Sequence, residues 1–276
     1  MNLSRVLPLL CVAAFVMTDV SFADTTQPLA WNDQNSSTVP NQKGKSKYPS
    51  FADSPKRDYA DAVMLLPPPP GEDSKAFEID MDIYKDNLKK YKGTKTWEDA
   101  RLSARLDGNS IAAFFSDAMG IRMSREKTPK LVYLIENSLG DFLEPGNNAK
   151  RYYKRKRPYV YFGERTCSSV QDDQGHARDG SYPSGYSTYG WGVALILTEI
   201  NPRRSNQILE TGLRLGQNRV ICGFHWQSDV DWGRTLASYV VAELHTVKKF
   251  NEALAEAKAE FEAAVEEQRK SKRFAR

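Results

Sequence analysis

The chain has 276 residues, is 40% hydrophobic and carries a formal net charge of +4. That length suffices to bury one substantial core, so a single main domain is expected. A charge this close to balance gives no ground for a nucleic-acid partner.

The first 23 residues read as a secretory signal, with Arg5 in a short basic start, an apolar run from Val6 to Met17, and Ser21-Phe22-Ala23 as a small-residue cleavage site before Asp24. The apolar run is shorter than the roughly 20 residues that cross a bilayer, so export with cleavage is expected, with no membrane contact afterwards. Residues 24–53 are polar and without sustained apolar period, which predicts a disordered leader. Leu65-Leu66 followed by Pro67 to Pro70 is a semi-rigid polyproline spacer.

From there the spacing turns helical. Phe77, Met81, Tyr84 and Leu88 share one face, as do Ile111, Phe114, Phe115 and Met119, then Leu131, Leu134, Ile135 and Leu139. Val193, Leu195, Ile196 and Ile200 form a further helix that Asn201-Pro202 stops. Arg203 to Leu215 and Val230 to Phe250 continue the series into a stretch rich in Ala, Glu and Lys with a basic tip. Few alternating β-branched runs occur and no Gly-rich phosphate loop is visible. The fold class expected is therefore all-α, one helical domain over residues 54–262 with a basic tail at 263–276. In an oxidising compartment Cys167 and Cys222 are candidates for one disulfide, with two buried thiols as the alternative.

The chemistry gathers between Lys150 and Asp229. Six of the eight residues from Lys150 to Arg157 are Lys or Arg, a pattern equally at home on a solvated basic face. Pro158 ends the run, however, and Lys150 and Arg157 together with Arg219 form a cation set suited to a dianionic phosphoryl group. Ser184 and Gly185 precede the apolar run from Trp191 and so fall at a helix start, where free amides and the positive dipole end favour an anion. His225 and Asp229 are four apart, which on a helix puts them on one face. Asp229 would then hold one imidazole proton and free the other nitrogen to attack phosphorus. The three histidines, His176, His225 and His245, show no metal-ligand spacing, so no metal and no cofactor is expected.

These motifs resemble the three-part signature of the type 2 phosphatidic acid phosphatase superfamily, and within it the class A bacterial nonspecific acid phosphatases. The likeness runs from about Leu65 to Leu244 and is closest at Asp179 to Gly185 and Arg219 to Val230. It implies a periplasmic, metal-independent acid phosphatase with the helical fold of the acid phosphatases and vanadium haloperoxidases, often oligomeric. Its substrates would be small phosphomonoesters, with phosphotransfer to alcohols as a related activity and vanadate as an inhibitor. Carried over by position, Lys150, Arg157 and Arg219 bind the phosphoryl oxygens with Ser184 and Gly185, His225 forms a phosphohistidine, and Asp229 orients it.

Two positions depart from the family pattern: Tyr186 stands where the family has His, and Asn218 where it has Ser. That His would protonate the leaving alcohol and later activate water. Tyrosine, with an unperturbed pKa of about 10, is a poor general base at acidic pH. Losing general acid-base help costs about 10² to 10⁴ in rate, so a slow enzyme is expected, or else a catalytically silent phosphate-binding protein. His176, ten residues before Tyr186, is a substitute that would have to reach into the pocket.

Overall fold

The computed structural model describes residues 48–52 and 61–274, and every regular element among them is helical. The expected secretory signal and most of the expected polar leader lie outside the described residues. A short helix, α1 (Ala62–Leu65), precedes the proline run, and the Tyr182 hydroxyl ties that run down by donating to the Pro67 carbonyl at 2.7 Å. The next three helices, α2 (Lys75–Tyr91), α3 (Lys95–Leu102) and α4 (Gly108–Met119), start on the side chains of Ser74, Thr94 and Asp107. Each of these accepts the third amide of its helix.

The apolar pattern expected as one helix from Leu131 to Leu139 is two, α5 (Pro129–Asn137) and α6 (Leu139–Tyr153). They part at Ser138, whose hydroxyl donates to the Leu134 carbonyl at 2.6 Å and competes there with the backbone ladder. Two short helices follow, α7 (Pro158–Phe162) and α8 (Val170–His176). After them come α9 (Gly185–Ile200) and α10 (Ser205–Ile221). The segment Val230 to Phe250 is also interrupted: α11 (Gln227–Leu244) ends at a turn before α12 (Lys248–Phe274), which carries the basic tail onward as helix.

Buried α9 runs between α10 and α11. The close approach depends on glycine: a Cβ at Gly212 would meet Ala194 Cβ at 2.5 Å, and one at Gly233 would meet the Ser184 carbonyl oxygen at 2.7 Å. The Ser184 amide donates to the Asp229 carbonyl at 2.9 Å, and the Ser187 hydroxyl donates to the Val230 carbonyl at 2.6 Å. The start of α9 is thereby fixed against the start of α11. Phe77 and Tyr84 on α2 pack with Phe162 around Trp226, holding α2 against the same place.

The end of the expected disordered leader is ordered. Asp141 in the first turn of α6 accepts from the Ser50 hydroxyl at 2.6 Å and from the amides of Phe51 and Ala52 at 2.8 and 3.0 Å. The Phe51 ring meets Phe250 edge-on at 5.6 Å inside the core. One buried aromatic and one carboxylate hold this segment, and neither produces a periodic signal. Cys167 and Cys222 form a disulfide with an S–S distance of 2.10 Å, which joins the loop before α8 to the end of α10.

Candidate active site

The basic run divides by geometry. Lys150 sits in the last turn of α6, and Lys154 then takes a left-handed conformation (φ 47°) and ends the helix. The link to α7 is extended, so its side chains alternate: Arg155 and Arg157 point inward and are buried, while Lys154 and Lys156 are exposed. The bland reading of a solvated face holds for half the run.

Lys150 Nζ donates to the carbonyls of Gly180 and Ser181 at 3.1 and 3.3 Å. Arg157 donates to the His176 carbonyl through Nε at 3.1 Å and lies against His225, with Nη1 at 3.1 Å from Nε2. Among the described residues neither cation has a carboxylate on it. Burial and the Arg157 charge push the Lys150 ammonium down to about 7.

His225 and Asp229 meet as predicted, with Nδ1 at 3.2 Å from Oδ2, but not on a common helix face. His225 lies ahead of α11, brought there by Gly223 (φ 74°), after which the amides of Phe224 and His225 both return to the Arg219 carbonyl at 2.9 and 3.2 Å. Asp229 is in the first turn of α11, where its Oδ2 also accepts the Trp226 amide at 2.9 Å. The tautomer follows from these contacts. A guanidinium only donates, so His225 Nε2 must accept and the ring proton belongs on Nδ1, facing Asp229. Burial, then Arg157, keep the imidazole well below its ordinary pKa, and it is neutral with an Nε2 lone pair turned to the cations.

Sequence reasoning missed the residues behind Asp229. Arg155 Nη1 donates to Asp229 Oδ1 at 2.7 Å and Nη2 to Asp80 Oδ2 at 2.7 Å, while Ser228 donates to Asp80 through its amide at 2.9 Å and its hydroxyl at 2.5 Å. The Arg155 guanidinium also lies 5.4 Å from the Trp226 ring centre. Although burial opposes it, Arg155 and the His225 bond hold the Asp229 carboxyl well below the usual carboxylate range. Alternation back from Pro158 could have singled out Arg155; nothing local marks Asp80.

Ser184 caps α9, its hydroxyl oxygen accepting the Ser187 amide at 3.3 Å. Gly185 and Tyr186 follow as the first two helical residues, whose amides have no carbonyl one turn back to serve. Arg219 is fully buried, bonded through Nη2 to the Ala100 carbonyl, and its Nε has no hydrogen-bond partner among the described residues. Tyr186 lies flat under this arginine, with the guanidinium 4.9 Å from its ring centre, but its hydroxyl donates to the Ala104 carbonyl at 3.1 Å. Burial raises its pKa above the ordinary value, so the hydroxyl is a committed donor. Asn218 donates to the Ser103 hydroxyl at 2.8 Å. Among the described residues no group of three or more His, Cys, Asp or Glu side chains is placed to hold a metal, and no helix is long and apolar enough to cross a membrane.

The eight residues expected to form the site therefore occupy one end of the α6, α9, α10 and α11 helices, around His225. Residues 131–252, which include all eight, match the PAP2 superfamily. A non-specific acid phosphatase of Providencia stuartii is 35% identical over 266 residues, covering 94% of this chain and 98% of that one. A non-specific acid phosphatase of Salmonella typhimurium is 38% identical over 199 residues, covering 71% and 78%, and an acid phosphatase of Zymomonas mobilis is 34% identical over 206, covering 75% and 77%. A solved bacterial vanadium-dependent iodoperoxidase aligns at a TM-score of 0.45 and 17% identity over 67% of this chain and 54% of that one, too loose a likeness to argue from. The chain belongs to the PAP2 superfamily, and within it to the non-specific acid phosphatases.

Proposed function

We propose that this protein is an exported acid phosphatase that hydrolyses soluble phosphomonoesters without a metal, through a phosphohistidine on His225. The observation that carries this reading is the contact of Arg157 Nη1 with His225 Nε2 at 3.1 Å, with Asp229 behind Nδ1. Only a neutral imidazole with its lone pair in the cation pocket satisfies both contacts, and that is the form a nucleophile requires. A phosphoryl dianion held by Lys150, Arg157, Arg219 and the amides at the start of α9 is brought to that lone pair. As the Nε2–P bond forms and the ester P–O bond breaks, positive charge develops on the ring and Asp229 stabilises it through Nδ1–H. Water then takes the phosphoryl group and the electron pair returns to Nε2. Export is supported by the signal-like residues 1–23 and by the Cys167–Cys222 disulfide, which persists in oxidising compartments.

A second reading, a silent phosphate-binding protein, is favoured by one observation: the Tyr186 hydroxyl is engaged by Ala104 and cannot serve as a base. Hydrolysis of an aryl phosphate from pH 4 to 8 with chelator present, beside His225→Ala, separates the two. Activity that survives chelator and vanishes in the variant is expected. Phosphate binding with no turnover at any pH would leave the silent reading, and an active His225→Ala would exclude the phosphohistidine.

A further inference from the structure

Tyr186 leaves the reaction without a proton donor for a poor leaving group, and His176 packs on the same Phe224 ring as His225. It is the last residue of α8, and its carbonyl receives Arg157 Nε at 3.1 Å, so its backbone is tied to the arginine that touches His225. Its ring packs edge-on to Phe224 with centres 5.5 Å apart, and the His225 ring packs on the same phenyl at 5.6 Å. The Arg157 guanidinium covers that phenyl at 4.6 Å. Two imidazoles and one phosphate-binding cation thus surround a single side chain. Arg157 and Lys150 act on the charge of both imidazoles.

We propose that His176, oriented by Asp179, is the proton donor and acceptor of this pocket, in the place that Tyr186 cannot fill. The proposal rests on the phosphohistidine reading above. Asp179 Oδ2 lies 3.1 Å from His176 Nδ1, which fixes the tautomer and leaves Nε2 for the substrate, a His–Asp pair parallel to His225–Asp229. His176 is half exposed, its side chain 47% accessible, so it is positioned where an alcohol leaves and water enters. His245 has no such placement, since its Nε2 lies 3.1 Å from Glu199 near the far end of α9.

The protons balance. In the first step the His225 Nε2–P bond forms, the P–O bond to the alcohol breaks, and the proton on His176 Nε2 passes to the leaving oxygen. In the second, neutral His176 takes a proton from water, the water oxygen bonds phosphorus, and the N–P bond breaks, returning both histidines to their starting states. The charged groups facing His176 are Arg157 on the extended link, Lys150 on α6 and Asp179 on its own loop. Burial, then Arg157, lower its pKa from the ordinary value, while Asp179 opposes them. A bound dianion offsets the two cations, so His176 takes up its proton with the substrate in place and at acidic pH.

The test compares glycerol 2-phosphate with 4-nitrophenyl phosphate for the parent protein and His176→Gln, with rapid mixing to resolve the first turnover. The variant is expected to lose about 10²-fold or more in kcat on the alkyl ester, the range of general acid catalysis. On the aryl ester, whose leaving group needs no proton, it is expected to release one burst of nitrophenolate per site and then stall. Adding Tyr186→His to His176→Gln restores alkyl turnover. Alkyl and aryl kcat within threefold of the parent with an unchanged pH profile would overturn the proposal, and so would a parent with no alkyl turnover. Activity in His225→Ala would instead overturn the phosphohistidine reading.

Discussion

Replacing Arg155 by Met isolates what stands behind the His225–Asp229 pair. The guanidinium is 7% exposed and serves two buried carboxylates, Asp229 at 0% and Asp80 at 3%, each at 2.7 Å. Removing one partner from a buried ion pair costs about 3 to 5 kcal/mol, because the remaining charge loses its partner without regaining water. Asp229 keeps the Trp226 amide and the His225 ring, and Asp80 keeps Ser228, so we expect a loss of about 4 kcal/mol at pH 7.5.

The pH dependence makes the prediction specific. In the parent Asp229 lies below its unfolded value of 3.8, so its contribution is fully present above that pH and is lost only as pH falls further. Without Arg155 the largest influence that lowers the carboxyl is gone, and burial, the largest influence of all, pushes it upward. Stability is then lost as pH rises and regained as it falls, by up to about 1.4 kcal/mol per unit. Protonation of either member of the His225–Asp229 pair relieves the surplus charge. Urea unfolding with the disulfide intact, at pH 7.5 and pH 5.0, should show the penalty falling from about 4 to about 2 kcal/mol. An equal penalty at both pH values, or none at either, would refute the assignment of Arg155 as the counter-charge of Asp229.

Sulfate keeps its charge from pH 4 to 9, so its competitive inhibition reports on the protein alone. With Lys150 at about 7, inhibition should weaken about tenfold per unit above that pH, while Lys150→Arg removes this slope; a parent profile flat from pH 7 to 9 would exclude this role. Loss of the Cys167–Cys222 bridge, across a sequence separation of 55, should cost about 4 kcal/mol by loop-closure entropy, read from the urea midpoint of the paired Ser variant. A Cβ at Gly233 would meet the Ser184 carbonyl oxygen at 2.7 Å, so Gly233→Ala should cost about 1 to 3 kcal/mol and weaken phosphate binding. Unchanged phosphate affinity there would mean that the start of α9 is set by something other than its contact with α11.

The helical class was legible because the core faces repeat at 3.6 residues, and Ile111 to Met119 and Phe77 to Leu88 lie within α4 and α2. The breaks at Ser138 and before Lys248 were not, since apolar residues continue through both and the interruptions are set by local hydrogen bonds. Ser184 was legible as a helix start because its cap chemistry is local. The His225–Asp229 contact was anticipated for a reason that does not hold: the two meet across a helix N-terminus after Gly223, where a four-residue spacing also brings them together. Asp80 lies 148 residues from Ser228 in sequence, and long-range pairing of that kind leaves no periodic trace. The turned hydroxyl of Tyr186 likewise depends on Ala104, 82 residues away.

The charge balance of the pocket orders the proposed reaction. Asp229 is paired with Arg155, and among the described residues Lys150, Arg157 and Arg219 have carbonyls rather than carboxylates as hydrogen-bond partners, so three cations outweigh the single negative charge left over by Arg155, Asp80 and Asp229. The excess favours a phosphoryl dianion over a neutral or singly charged ligand. Burial, and after it Arg157, keeps His225 unprotonated, so the nucleophile of the proposed reaction is ready at the acidic pH where an isolated imidazole would be charged. Burial, then Arg157 and Lys150, lower the pKa of His176 as well, and a bound anion cancels those two cations. Burial keeps the nucleophile of the proposed reaction neutral, while the half-exposed His176 is left to take a proton once an anion cancels the cations beside it, which is the division of roles that two neighbouring histidines need.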